Sequence, residues 1–347
     1  MSDSSLVVLG WDSALDDERA AMPDGEGTPA RVQRIDRKWC TVLRAPDDAV
    51  RLPAPEDLAV GDWVLLPEAA DRIADRVPRK SALARRAPDG SASAQVIAAN
   101  VDWVFLVHGL VIDPNERRLE RELVIAYESG AMPVVVLTTA DLAEDPRPAQ
   151  ALVEEVAAGV PVHVVSSLTG EGLSVLDQYL AGHRTIVLLG PSGAGKSTLI
   201  NALMGEALLR TAEVREFDGK GRHTTTAAEL VLLPAGGLLV DTPGLRALAL
   251  WSEGAGLDEA FADVTSLAEH CRFRDCAHDV EPGCAVLAAV QSGTLLPARL
   301  RSWRNLHVEL EALRGEQEAY ERSAGRGRRR PRRGGPADDV DDERTPE

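Results

Sequence analysis

From Ala30 the chain alternates apolar and polar positions in short runs: Arg31-Val32-Gln33-Arg34-Ile35, Trp39-Cys40-Thr41-Val42-Leu43, Ala49-Val50-Arg51-Leu52 and Trp63-Val64-Leu65-Leu66. A period of two marks strands with one buried face, and their close spacing between Pro-Asp and Val-Gly-Asp turns predicts a small β-barrel. Gly61-Asp62-Trp63-Val64 is the kind of turn into a strand that OB-type barrels use, although an SH3-like barrel fits the same pattern. Residues 1–29 hold the apolar piece Leu6-Val7-Val8-Leu9, an acidic stretch of helical character and the turn-rich Pro23-Asp24-Gly25-Glu26-Gly27, and read as an N-terminal extension.

Past residue 98 the pattern changes. Continuous apolar runs at 101–107, 133–137, 161–165 and 185–189 alternate with helical spacing at 115–129, near 148–158 and at 172–180, which predicts a mostly parallel sheet covered by helices. Two further strands are expected at 229–233 and 237–240. Leu300, Trp303, Leu306, Leu310 and Leu313 then mark a helix that packs on the preceding segment or on the sheet domain. From residue 323 the chain runs through Gly325-Arg326-Gly327-Arg328-Arg329-Arg330-Pro331-Arg332-Arg333 into an acidic end, a composition that cannot form a core.

The strand at 185–189 leads into Gly190-Pro191-Ser192-Gly193-Ala194-Gly195-Lys196-Ser197, and helical spacing follows from Ser197-Thr198. Strand, glycine-rich loop and helix are the context in which G-x-x-x-x-G-K-[ST] binds a nucleoside triphosphate. Inward-turned N–H groups and the helix N-terminus receive the phosphates, Lys196 reaches the β and γ groups, and Ser197 ligates Mg²⁺. A chance match is disfavoured because lysine occurs only four times in the chain, at 38, 80, 196 and 220. Downstream, Asp241-Thr242-Pro243-Gly244 ends an apolar strand. Asp241 suits a second Mg²⁺ contact and Gly244 can offer its N–H to a γ-phosphate. Between these motifs, Gly219-Lys220-Gly221-Arg222-His223-Thr224-Thr225-Thr226 has no periodicity and suits a mobile loop.

A formal charge of −17 excludes indiscriminate nucleic-acid binding, so any RNA must meet local basic patches. One such patch is Arg76, Arg79, Lys80, Arg85 and Arg86, which reads either as a solvated face or as an RNA-phosphate contact on a barrel rim; another is the arginine-rich tail. No run reaches membrane-span length and Met1-Ser2-Asp3-Ser4-Ser5 lacks the basic start of a signal peptide, so a cytoplasmic protein without a membrane partner is expected. Three of the four cysteines crowd into Cys271-x4-Cys276-x-His278-x5-Cys284. Three thiolates and an imidazole make a closed tetrahedral site of the kind that holds a structural Zn²⁺, with His270 as a competing ligand.

Two look-alikes of guanine-reading motifs, Thr138-Thr139-Ala140-Asp141 and Ser166-Ser167-Leu168-Thr169-Gly170, stand before the P-loop rather than after it. With a barrel ahead and a Cys/His cluster behind, this order resembles the family of ribosome small subunit-dependent GTPase A (RsgA, YjeQ), over nearly all of residues 30–313. The resemblance implies a multidomain α/β protein: extension 1–29, OB-type barrel 30–98, circularly permuted P-loop GTPase domain 99–255, zinc-binding helical domain 256–322 and disordered tail 323–347. It further implies a monomer that binds rRNA of the small ribosomal subunit and hydrolyses GTP slowly to GDP and phosphate, stimulated by that subunit late in its maturation. GTP would be held by Thr138, Thr139, Asp141, Ser166, Ser167, residues 190–198 and Gly244. Mg²⁺ would be held by Ser197, Asp241 and one of the switch threonines Thr224, Thr225 and Thr226. The resemblance selects His278 as the fourth zinc ligand, and Lys196 and His223 as the catalytic pair.

Three departures bear on that expectation. Leu245 stands where many GTPases carry the glutamine that orients the attacking water, so His223 is the candidate for that task. Thr138-Thr139 replaces the usual Asn-Lys; Asp141 can still accept from guanine N1–H and N2–H, but the lost contacts should weaken affinity by about 1–3 kcal/mol. Ser167 replaces the alanine usual in the second motif. Two other readings follow: a nucleotide-gated RNA-binding protein with vestigial hydrolysis or relaxed GTP/ATP choice, and an ATP-dependent metabolic kinase, which leaves the permuted motifs and the cysteines unexplained.

Overall fold

A computed structural model describes residues 4–23, 26–86, 94–111, 114–205, 228–242 and 255–327. The chain opens with two short helices, α1 (Ser4–Val8) and α2 (Ser13–Ala21), the second capped by the Asp12 side chain, which accepts from the N–H of Leu15. They are not peripheral. Leu6, Leu9, Trp11 and Leu15 are buried in one cluster with Leu43, Trp63, Leu65 and Val77, and the Trp11 and Trp63 rings meet edge to face at 4.8 Å.

The alternating runs form strands as expected: β1 (Thr28–Asp36), β2 (Trp39–Ala45), β3 (Asp48–Pro53), β4 (Trp63–Leu66) and the two-residue β5 (Asp75–Arg76). All pair antiparallel, in the order β3-β2-β1-β4-β5. A hairpin, β6 (Ala82–Arg86) with β7 (Ala94–Ala99), makes its own two-stranded sheet, tied to the rest by a parallel bridge between Val60 and Ala98.

The second unit runs β8 (Trp103–Gly109), α3 (Glu116–Glu128), β9 (Met132–Thr138), α4 (Arg147–Val156), β10 (Val162–Val164), α5 (Asp177–Leu180), β11 (Thr185–Leu189), α6 (Lys196–Met204), β12 (Glu229–Leu232) and β13 (Leu238–Asp241). Its strands lie in the order β10-β9-β8-β11-β13-β12, parallel except for β12. Such a sheet is covered on both faces, hence the uninterrupted apolar runs. Along β8, Val104 and Leu106 enter one core with Leu119 and Leu123 of α3, while Phe105 and Val107 enter the other with Leu176, Tyr179 and Leu199.

Among the described residues four helices follow: α7 (Ala255–Ala260), α8 (Ala262–Ala268), α9 (Ala285–Ser292) and α10 (Pro297–Gly327). Phe261, Val264, Val286, Leu300, Leu306 and Leu310 share the α3-side core, so this module docks on the sheet domain and on itself. Arg299 fixes the dock. It lies 4.0 Å over the Phe261 ring and pairs with buried Glu120 of α3 at 3.0 Å, while Arg121 forms a two-pronged pair with Glu309. No helix among the described residues is long and apolar enough to cross a membrane.

Strand β1 joins the two sheets. Its first half pairs with β4, and after a bulge between Val32 and Arg34 it meets β12 at Arg34 and Glu229. Above that seam Arg31 is wholly buried. Its guanidinium donates to the carbonyls of Leu9, Asn100 (3.1 Å) and Gly61 (3.4 Å) and to the Thr185 hydroxyl (2.8 Å), with no carboxylate in the set. Burial pulls its pKa down to about 10, against the opposing pull of Asp102 and Asp62.

The expected basic rim is engaged in local pairs, of which one reaches a buried partner. Arg79 grips the fully buried Asp62 through two bonds of 2.6 and 2.7 Å, Arg76 pairs with Asp57, Lys80 pairs with Asp12, and Arg85 donates to Gln95. Arg79 thus braces the fold through Asp62, while Arg76, Lys80 and Arg85 make their contacts at the surface.

Arg31→Met keeps the bulk and deletes the donors, leaving buried acceptors unpaired; the cost should be about 3 kcal/mol. Urea unfolding should show the loss, and limited proteolysis should show earlier release of residues 4–22; a variant as stable as the wild type would contradict the bracing role.

Candidate nucleotide site and metal centre

The end of β11 delivers the P-loop at the carboxyl edge of the parallel strands, where open α/β sheets bind ligands. Gly190, at φ +140°, lies so close to β8 that a Cβ would sit 2.1 Å from the Val107 carbonyl oxygen. Gly195, at φ +83°, caps α6 and abuts Thr138, whose hydroxyl would be 3.0 Å from a Cβ there. Gly190 admits no side chain, and one at Gly195 would strain the left-handed backbone and press on the Thr138 hydroxyl. The Lys196 ammonium donates to the loop carbonyls of Gly190 (2.8 Å) and Pro191 (2.6 Å), and Ser197 and Thr198 stand exposed in the first turn of α6. Ser192 and Gly193 are exposed at the loop crest, and Ala194 is buried beneath it.

The base-side motifs reach the same edge from β9 and from the loop after β10. Thr138 is 1% exposed, and its hydroxyl donates to the Ala194 carbonyl at 2.7 Å. Thr139, in a left-handed turn at φ +60°, accepts from the Leu110 N–H and donates to the Thr138 carbonyl. Both hydroxyls are spent on protein. Asp141 is exposed in the following 3₁₀ turn, oriented by the buried Ser166 hydroxyl at 2.5 Å; the Ser167 hydroxyl is enclosed with no hydrogen-bond partner. Across the P-loop strand, Asp241 ends β13 half-buried, and burial raises its carboxyl above the ordinary aspartate range. His223, Thr224, Thr225, Thr226, Gly244 and Leu245 lie outside the described residues.

One part of the site escaped the sequence reading. A cleft of ≈ 300 Å³ opens beside Pro191, Ser192, Gly193 and Ala194, walled by His108, Asn115 and Arg118. Buried His108 meets Glu122 at 2.8 Å, and Arg118 pairs with the other Glu122 oxygen at 3.1 Å, so α3 is braced against the P-loop wall. The signal was present, as a histidine closing an apolar strand and a glutamate on the apolar stripe of a helix.

The cysteine cluster converges between α8 and α9. The ligand atoms of Cys271, Cys276, His278 and Cys284 lie within 4.8 Å of one another and can hold a metal ion. His278 presents Nδ1 at 3.5 Å from Cys271 Sγ and 3.4 Å from Cys284 Sγ, and the two sulfurs are 3.8 Å apart. Burial lowers the His278 pKa and so favours the neutral, ligating imidazole. His270 turns its Nδ1 to the Ser266 carbonyl at 3.0 Å and is outside the group.

The P-loop sits on the fourth of the six described strands of its domain, and the base-side loops come from strands earlier in the chain; this is a circularly permuted P-loop GTPase. The family model of the RsgA GTPase matches residues 76–251. The chain belongs to that family. A Streptomyces coelicolor protein named small ribosomal subunit biogenesis GTPase RsgA is 44% identical over 92% of this chain and 90% of its own length, and its Streptomyces avermitilis namesake is 45% identical over 92% and 89%. Among solved structures, YjeQ from Thermotoga maritima superposes with a TM-score of 0.63 at 27% identity, over 82% of this chain and 98% of that one. The fold is also that of YloQ, described as a circularly permuted GTPase, at a TM-score of 0.59 and 23% identity over 83% and 96%.

Thr138→Val deletes one hydroxyl and leaves the Ala194 carbonyl unpaired, so GDP affinity should fall by about fivefold, the worth of one hydrogen bond. Fluorescent-nucleotide titration reads this directly; unchanged affinity would show that the strut does not hold the P-loop.

Proposed function

We propose that this chain hydrolyses GTP on the small ribosomal subunit during its late maturation, binding rRNA there as a cytoplasmic monomer. The observation that carries guanine choice is Asp141, an exposed carboxylate oriented by Ser166 at the same sheet edge as the P-loop. A carboxylate accepts from guanine N1–H and N2–H, which adenine cannot offer. With Thr138 and Thr139 engaged elsewhere, Asp141 carries that choice with little help from its neighbours.

In this reading Lys196 leaves the loop carbonyls for the β and γ phosphates, and the 190–198 backbone and Gly244 surround them. Ser197, Asp241 and one of Thr224, Thr225 and Thr226 would hold Mg²⁺, which when bound neutralises charge on the β and γ oxygens. His223 orients a water that attacks the γ-phosphorus; the bond to the β–γ bridging oxygen breaks, and GDP and phosphate leave. Leu245 cannot hydrogen-bond to that water, which suits an enzyme that is slow until the ribosome completes its site.

Zinc is the ion the donor set fits. A tetrahedron with Zn–S of about 2.3 Å and Zn–N of about 2.0 Å has edges of about 3.8 Å between sulfurs and 3.5 Å from sulfur to nitrogen, in line with the separations among Cys271, His278 and Cys284, while the full set with Cys276 spreads to 4.8 Å. With no ligand position left for water, the role is structural. We assign residues 30–98 to an OB-type barrel, 99–255 to the GTPase domain and 256–322 to the zinc-binding domain, flanked by the 1–29 extension and the 323–347 tail. Exposed Trp39, stacked under Arg51, offers the barrel an RNA-facing aromatic.

Multiple-turnover hydrolysis of GTP, with and without purified small subunits and with ATP in parallel, tests the proposal. Strong stimulation confined to GTP is expected. Comparable ATP turnover would remove the guanine assignment, and absence of stimulation would favour a nucleotide-gated RNA binder. His223→Ala should lower stimulated turnover about 100-fold while leaving GDP affinity unchanged; a proportional loss of affinity would instead make His223 a structural residue.

A further inference from the structure

The loop that carries the metal ligands also contains a carboxylate that is not one of them. Glu281 lies between His278 and Cys284. Its Oε1 accepts from the N–H of Ala277 at 3.1 Å, and its Oε2 accepts from the N–H groups of Asp279 at 2.8 Å and Val280 at 3.1 Å. These three amides bracket His278, which adopts φ +57°, a left-handed conformation that a non-glycine residue enters at a cost. On the far side of the same residue Arg304 donates to the His278 carbonyl, and Trp303 packs on the imidazole at 5.3 Å.

Charge does not explain this placement. Three thiolates, one neutral imidazole and a divalent ion sum to −1, so a further carboxylate close by is electrostatically disfavoured. Its oxygens are not among the four clustered ligand atoms. What the side chain does provide is a set of acceptors for backbone N–H groups in a turn too short to pair them in a helix or sheet.

We propose that Glu281 is a positioning residue of the metal centre: its carboxylate staples the 277–280 turn around His278, so the ligands are shaped before the ion enters and release it slowly afterwards. The inference rests on the metal reading given above. Groups that orient metal ligands without touching the ion commonly change affinity 10–100-fold when removed.

The test uses the full-length, metal-loaded protein. Metal content by mass spectrometry comes first: one zinc per chain is expected, and a metal-free wild type would remove the metal reading and this proposal with it. Zinc transfer to a chromophoric chelator is then timed for the wild type and for Glu281→Gln, which keeps the size but turns an amide donor toward backbone donors. Release about tenfold faster from a folded variant is expected, and an equal rate would overturn the staple. Hydrogen exchange in the wild type supplies a readout that needs no variant. After the metal is stripped, the amides of Ala277, Asp279 and Val280 should stay protected at least tenfold over the intrinsic rate, and full loss of that protection would overturn preorganisation even if Glu281→Gln failed to fold.

Discussion

Everything in this molecule meets at one guanidinium. Arg31 has no carboxylate within hydrogen-bond reach: three backbone carbonyls and a hydroxyl take its donors, its guanidinium lies 5.3 Å over the Trp63 ring, and Asp102 and Asp62 act on it only from a distance. Each belongs to a different part of the chain: Leu9 to the N-terminal helices, Gly61 to the turn before β4, Asn100 to the segment between the sheets, and Thr185 to the start of the P-loop strand. A planar, five-donor cation can satisfy such scattered acceptors at once, which a lysine ammonium cannot. The desolvation cost is high and no ion pair offsets it, so the geometry of all four partners has to be right together. The seam between β1 and β12 and the edge-to-face tryptophans close around that point.

The same economy of hydrogen bonds governs the nucleotide edge. Where an asparagine would divide its amide between ligand and loop, Thr138 has one hydroxyl and gives it to Ala194. The P-loop thereby gains a strut to β9, and Asp141 stands exposed, oriented from behind by Ser166; in the proposed function the base has one contact fewer and Asp141 reads it. On the opposite wall His108, Glu122 and Arg118 brace α3, and α3 in turn carries Glu120 and Arg121 to the C-terminal module. One helix thus lines the cleft beside the phosphate loop and pairs with the C-terminal helix α10.

Much of this was legible because it is local. The P-loop is a contiguous motif whose glycines are dictated by contacts one strand away, and the permuted order is read from motif sequence alone. The Cys/His spacing needs only a turn to converge. What could not be read depends on partners remote in sequence. Arg31 occupies a polar slot in an alternating strand and so reads as solvent-facing; it is buried because the extension and the linker cover that face. Arg79 and Lys80 read as a basic patch because nothing local announces Asp62 and Asp12 as their partners. The acidic N-terminal stretch reads as an appendage, yet Trp11 and Leu15 are core. Helix α10 was visible over 300–313 from its leucines but continues to Gly327 on charged residues that carry no periodic signal.

The placement of Arg31 also sets a timetable for synthesis. Its Thr185 partner lies 154 residues downstream, and the strand that completes the β1 seam lies farther still. At about 5–20 residues per second a ribosome needs roughly 8–30 s to deliver Thr185 after Arg31 has been made. Through that interval the first β-strands have emerged with a buried-type cation that has only some of its acceptors, and loop closure over such a distance is itself slow. The N-terminal strands therefore complete the hydrogen-bond set of Arg31 only once the phosphate-binding strand has been made.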